Sequence, residues 1–200
     1  MQNQLDASKT ALIVVDKQRA YMSDDEPLAR LKNSTTNEIT AAIPRIDSFI
    51  DYCREKNVPV IWTQMIESPE LSPENIANKM RSGNTPAISS PGTPGFDFLG
   101  QIPKPNDKVI IKKYYDAFAE TDLFEYLSSH SVVNVIIVGG YTSKCILGTS
   151  FGANNHGLNV YIPTELVSNV DSELNEAAVA LEIIDGVLGY VVSVNDIIFE

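Results

Sequence analysis

An α/β fold is predicted, three layers α-β-α with a mostly parallel sheet covered on both faces. Short β-branched runs alternate with helical patterns along the chain. The runs are continuously apolar rather than alternating, as in strands buried on both sides. No repeat or linker interrupts the 200 residues, so one domain over 1–200 is expected to hold the core.

TALIVVD (10–16) is the first strand. In AAIPRIDSFIDYCREKN, Ile43, Ile46, Ile50 and Cys53 are spaced 3, 4 and 3, which predicts one helix face. VPVIWTQ (58–64) is the second strand. A long Pro-, Gly-, Ser- and Asn-rich stretch follows to Phe98, expected to be a functional loop. KVIIKK (108–113) is the third strand, and TDLFEYLSS a short helix with Thr121 as N-cap. VNVIIVGG (133–140) is the fourth strand, and SKCILGTSFGANNHG a helix closed by Gly157. NVYIPTELV is the fifth strand, SELNEAAVALEIID a helix opened by Ser172, and YVVSVNDII the sixth strand.

A net charge of -11 disfavours phosphate backbones and anionic lipid surfaces, so neither nucleic acid nor membrane is an expected partner. The polar start, MQNQLDASK, lacks the apolar core of a signal peptide. Two cysteines make no disulfide or zinc framework, and a cytoplasmic location is expected. Two histidines leave little for a metal site. No metal and no cofactor are expected.

In such sheets ligands sit outside the carboxyl ends of the strands. Asp16 ends the first strand, Lys112 lies near the end of the third, and Cys145 follows the fourth at the start of a helix. A thiol there meets the positive end of the helix dipole, so a lowered pKa is expected. N–H groups between Tyr141 and Cys145 are placed to form an oxyanion hole. Each residue also has a plain reading: a small core cysteine, a turn-forming aspartate, one of a solvated Lys112-Lys113 pair. Cys53, on the apolar helix stripe, reads as core. Tyr21, Trp62 and Tyr115 lie near strand ends, where they stack on a planar substrate or simply pack.

Four blocks resemble the isochorismatase-like cysteine hydrolase superfamily, which includes nicotinamidases and carbamoylsarcosine amidohydrolase. ALIVVDKQRAY resembles D-x-Q-x-x-[FY], with Asp16, Gln18 and Tyr21 in register. PGTPGFDF resembles the Pro-Gly-Thr segment before the third strand. IIKKYYDAFAETDLFEYL resembles K-x-x-x-[SD]-A-F-x-x-T-x-L, in which Lys112 rather than Lys113 matches the lysine. GGYTSKCILGTSFGANNHG resembles G-x-x-T-x-x-C-x-x-x-T-x-x-x-A-x-x-x-G.

The resemblance implies a six-stranded sheet of order 3-2-1-4-5-6 and a triad of Asp16, Lys112 and Cys145. Cys145 would attack a carbonyl and form a thioester. Asp16 would take the thiol proton and later activate water, and Lys112 would hold the charges. A cis peptide at Gly140-Tyr141 and backbone N–H groups of Tyr141 and Cys145 around an oxyanion are also implied. WTQMIESPELSPE lacks the histidines of the metal-binding nicotinamidases. The cysteine argues against isochorismate cleavage, whose enzymes lack it, and Glu165-Leu166 replace the family's Asp-Ala after the fifth strand. The leading expectation is hydrolysis of a C–N bond in a small amide, carbamoyl or ureido compound by a homodimer or homotetramer. The alternatives are an enol-ether hydrolase and a non-enzymatic binding or redox-sensing protein.

Overall fold

Every residue of Thr10–Val15 is buried, and six of the seven in Asn134–Gly140 are. These two strands lie side by side at the centre of the sheet. The computed structural model describes residues 3–25 and 27–200. Its strands are β1 (Asn3–Leu5), β2 (Thr10–Val15), β3 (Val60–Met65), β4 (Lys108–Lys112), β5 (Asn134–Gly140), β6 (Asn159–Pro163), β7 (Val167–Ser168), β8 (Tyr190–Val192) and β9 (Ile197–Phe199). Its α-helices are α1 (Arg19–Met22), α2 (Pro27–Leu31), α3 (Asn37–Glu55), α4 (Glu74–Ser82), α5 (Leu123–Ser129), α6 (Leu147–Asn155) and α7 (Leu174–Ile183).

The parallel strands run in the order β4-β3-β2-β5-β6-β8, which in the six expected strands is 3-2-1-4-5-6. Alternate residues of β2 face opposite layers. Leu12 and Val14 pack with Ile46, Phe49 and Ile50 of α3. Ala11, Ile13 and Val15 pack with Leu123 and Leu127 of α5 and Ala153 of α6. The chain reverses its direction of sheet growth between β2 and β5, and the crevice at their carboxyl ends is where such folds bind ligands.

Several boundaries differ from the expected ones. The long loop contains α4, whose Ala77 and Met80, three residues apart, are buried. α3 begins at Asn37 because the Asp171 carboxylate accepts the N–H groups of Asn37 and Glu38 from 133 or more residues away. α5 is capped at Asp122, not Thr121. Thr121 Oγ1 accepts the Leu123 N–H at 3.3 Å and donates to the Ala117 carbonyl at 2.6 Å. α7 starts at Leu174, after a 3-10 turn that includes Ser172. The expected fifth strand stops at Pro163, and after a short turn β7 pairs with β5 instead. The Glu165 carboxylate accepts the Ser193 hydroxyl and the Val194 N–H. A 3-10 turn, Val194–Asp196, divides the expected sixth strand into β8 and β9, and β9 leaves the main sheet to pair with β1. Among the described residues no helix is long and apolar enough to cross a membrane.

Candidate active site

Asp16 is the first residue past β2 and has φ +47°, a left-handed conformation uncommon outside glycine. Thr63 of β3 fixes both ends of it. The Thr63 hydroxyl accepts the Asp16 N–H at 3.1 Å and donates to Asp16 Oδ1 at 2.5 Å. Asp16 Oδ2 faces Lys112 Nζ at 2.7 Å, with both side chains sealed from solvent. Lys112 Nζ spends its other protons on the Tyr114 carbonyl at 3.0 Å and on Cys145 Sγ at 3.4 Å. Three residues separated by as many as 129 positions in sequence thus meet at one point.

Two glycines let the β5 end approach so closely. Gly139 has φ +112°, and a Cβ there would lie 2.1 Å from the Val15 carbonyl oxygen of its neighbour β2. A Cβ on Gly140 would lie 2.4 Å from Ile39 Cδ1. The Gly140-Tyr141 peptide bond is cis. Cys145 then lies in a π-helical turn, Thr142–Ile146, that leads into α6. The Tyr141 carbonyl accepts the N–H groups of Lys144 and Ile146. Asn169, wholly buried, ties this turn down: its Oδ1 accepts the Ser143 N–H, and its Nδ2 donates to Ser143 Oγ and the Glu173 carbonyl. Gln18, two residues after Asp16, joins three distant segments. Its Oε1 accepts the Met65 N–H at 2.7 Å, and its Nε2 lies 2.8 Å from Ser89 Oγ, 3.1 Å from the Phe96 carbonyl and 3.3 Å from that of Met65.

The electrostatics reverse one expectation. Burial pushes the Cys145 thiol up, Lys112 opposes this, and Asp16 adds to it. A helix start alone would have lowered it, but desolvation of the thiolate outweighs that effect here. Burial would lower the Lys112 ammonium, yet Asp16 and Cys145 outweigh it and hold the value above the ordinary one. The resting set at neutral pH is therefore a thiol beside an ammonium ion, and a thiol in that state needs a base before it can attack.

Cys145 lines a cavity of about 370 Å³, together with Tyr21, Glu67, Ile88, Tyr115 and Tyr141. The Tyr141 hydroxyl donates to the Tyr21 carbonyl at 2.7 Å, and the two rings meet edge to face. Tyr21 and Tyr115 thus lie where substrate contacts are expected. Trp62 does not. It is fully buried on the α3 side of the sheet, its ring edge to face with Phe98 and its Nε1 donating to Asp107 at 2.9 Å. The pleat that turns Thr63 toward Asp16 turns Trp62 to the other layer. Thr63, Glu67 and Asn169 are site residues the sequence reading missed. Glu67 had a signal, since it lies two residues beyond the end of β3, where ligands bind.

Cys53 is completely buried among α3 and sheet side chains, and burial raises its thiol as well. Iodoacetamide on the native protein should therefore modify Cys145 first and Cys53 only after unfolding. Because the Cys145 thiol is raised, its alkylation rate should keep climbing as pH rises above neutrality, with no plateau near pH 7. Mass spectrometry of the two cysteine peptides across pH checks this. Equal labelling, or a neutral plateau, would contradict the environments described.

The class is set by a three-layer α/β fold with a carboxylate, an ammonium and a thiol converging at the central strand ends. Residues 10–196 match the family model described as Isochorismatase domain, and the chain belongs to the isochorismatase family. Nicotinamidase 3 of Arabidopsis thaliana is 29% identical over 171 residues, 84% of this chain and 77% of that protein. A cysteine hydrolase from Pseudomonas syringae pv. phaseolicola superposes with a TM-score of 0.80 at 19% identity, covering 94% of this chain and 90% of that one. The pyrazinamidase of Pyrococcus horikoshii, solved in complex with zinc, superposes with a TM-score of 0.74 at 26% identity, covering 92% and 99%. Among the described residues of the present chain, no group of three or more His, Cys, Asp or Glu side chains is placed to share a metal ion.

Proposed function

We propose that the protein is a cysteine hydrolase that cleaves a C–N bond of a small amide, carbamoyl or ureido compound. The observation that carries this reading is the contact chain Thr63–Asp16–Lys112–Cys145 opening on one cavity. A redox-sensing thiol needs no buried carboxylate and lysine matched to it. The nicotinamidase and pyrazinamidase relatives carry amide-hydrolase names, which supports the same bond class.

Asp16 accepts the Cys145 proton, and the resulting thiolate is stabilised by the Lys112 ammonium. Sulfur attacks the carbonyl carbon, and the carbonyl π electrons move to oxygen. The backbone N–H groups of Tyr141 and Cys145 are assigned to that oxyanion. Collapse breaks the C–N bond, and the nitrogen leaves as ammonia or an amine with the proton held by Asp16. The thioester is then hydrolysed: Asp16 takes a proton from the attacking water, and collapse expels the Cys145 thiolate, which takes that proton back from Asp16. A fixed Asp16–Lys112 pair serves both halves, because the proton returns to the same carboxylate each time.

Ammonia release from a panel of small amides, ureas and carbamoyl compounds tests this directly. Wild type should release ammonia from at least one, and Cys145→Ala should release none above background. Ammonia release that survives Cys145→Ala would remove the thiol from the reaction.

A further inference from the structure

The cavity beside Cys145 is lined by Lys32, Glu67 and Lys144 as its charged residues, among those described. The two cations are already matched. Lys32 bonds one carboxylate oxygen of Glu173 and Lys144 the other, and Lys144 also lies over the Tyr141 ring at 5.2 Å. Among the described residues Glu67 has no ion-pair partner in direct contact, although the Lys112 and Lys144 ammonium groups act on it from further away. Its Oε2 accepts the Tyr21 hydroxyl at 3.1 Å, a neutral partner. Its backbone is fixed, because its N–H and carbonyl both bond to the Ile88-Ser89 segment. The cavity therefore presents an anchored carboxyl group among aromatic and aliphatic side chains, with two lysines that are themselves paired to Glu173.

We propose that Glu67 determines specificity, selecting substrates that carry an ammonium or amidinium group on the body of the molecule, apart from the scissile carbonyl. This deepens the amide-hydrolase reading and rests on it. A cation in this cavity gains twice. It pairs with a carboxylate at low dielectric, and the ring of Tyr21 or Tyr115 can receive its positive charge. Burial pushes the Glu67 carboxyl up; the Tyr21 hydroxyl, Lys112 and Lys144 oppose this and Asp16 adds to it, and burial outweighs the opposing groups. A cation beside it is the partner that restores the ionised form. An anionic substituent meets the opposite situation, since the lysines that would receive it are held by Glu173.

Three amides of similar size separate these cases: benzamide, 3-(aminomethyl)benzamide and 3-carboxybenzamide. Binding is measured by calorimetry on Cys145→Ala, so no turnover is required. The aminomethyl compound should bind at least about tenfold more tightly than the carboxy compound, the size expected of one charge-assisted contact. Adding Glu67→Gln, which keeps the shape and an acceptor for Tyr21, should bring the ratio close to unity. Adding Glu67→Asp instead should retain the order. Circular dichroism confirms that each variant is folded. A ratio near unity in Cys145→Ala, no binding of the aminomethyl compound, or a preference that survives Glu67→Gln would overturn the assignment. Ammonia release by wild type from the same three amides reports separately on the hydrolase reading.

Discussion

Asp16→Asn should lower kcat for ammonia release by about 10²–10⁴, the usual cost of losing a positioned base. The substitution preserves shape, and Thr63 can still donate to the remaining carbonyl oxygen, but the buried Lys112 ammonium loses its counter-charge, so some loss of stability is also expected. What it removes is the proton acceptor beside a thiol that burial holds in its neutral form. The loss should therefore appear in both the attack and the deacylation steps, with KM changed much less. Steady-state kinetics across pH is the measurement. Activity within a few-fold of wild type would place the proton transfer on another group.

Lys112→Ala should cost the fold as well as the reaction. Lys112 is 1% exposed and its carboxylate partner is 0% exposed. Removing one member of a buried pair leaves an uncompensated charge, at about 3–5 kcal/mol. For a chain of this size that is a fall in Tm of about 6–20 °C. Lys113, one residue on and exposed, should tolerate alanine within about 0.5 kcal/mol. The double variant Asp16→Ala/Lys112→Ala should recover part of the stability and none of the activity, because it removes the stranded charge together with the base. Thermal denaturation of the four proteins decides it. A destabilised Lys113→Ala beside a stable Lys112→Ala would shift the site by one residue.

Asp16 and Lys112 stand at the ends of apolar strands and Cys145 follows another, but it is the family resemblance that singles out the three and prefers Lys112 to Lys113. Strand order came from the family resemblance, which the β4-β3-β2-β5-β6-β8 ladder matches. Trp62 was misplaced because closeness to a strand end does not say which face a side chain takes, and one step of the pleat separates it from Thr63. The start of α3 was hidden because its capping carboxylate, Asp171, comes from the far end of the chain. Asn169 and Glu173 are illegible for the same reason: their partners are fixed by tertiary closure and not by any local pattern. The expected low thiol pKa failed because a dipole argument omits the desolvation that only a packed cavity reveals.

The Gln18 amide joins Met65, Ser89 and Phe96, which stand 47, 71 and 78 residues further along the chain. Bonds of such span cannot form while their segments diffuse independently, since each closes a loop whose entropy must be lost first. The Gln18 contacts consequently exist only once the segments that hold Met65, Ser89 and Phe96 have come together. Truncated or nicked forms that retain much of the sheet would be expected to keep their secondary structure and lose turnover entirely.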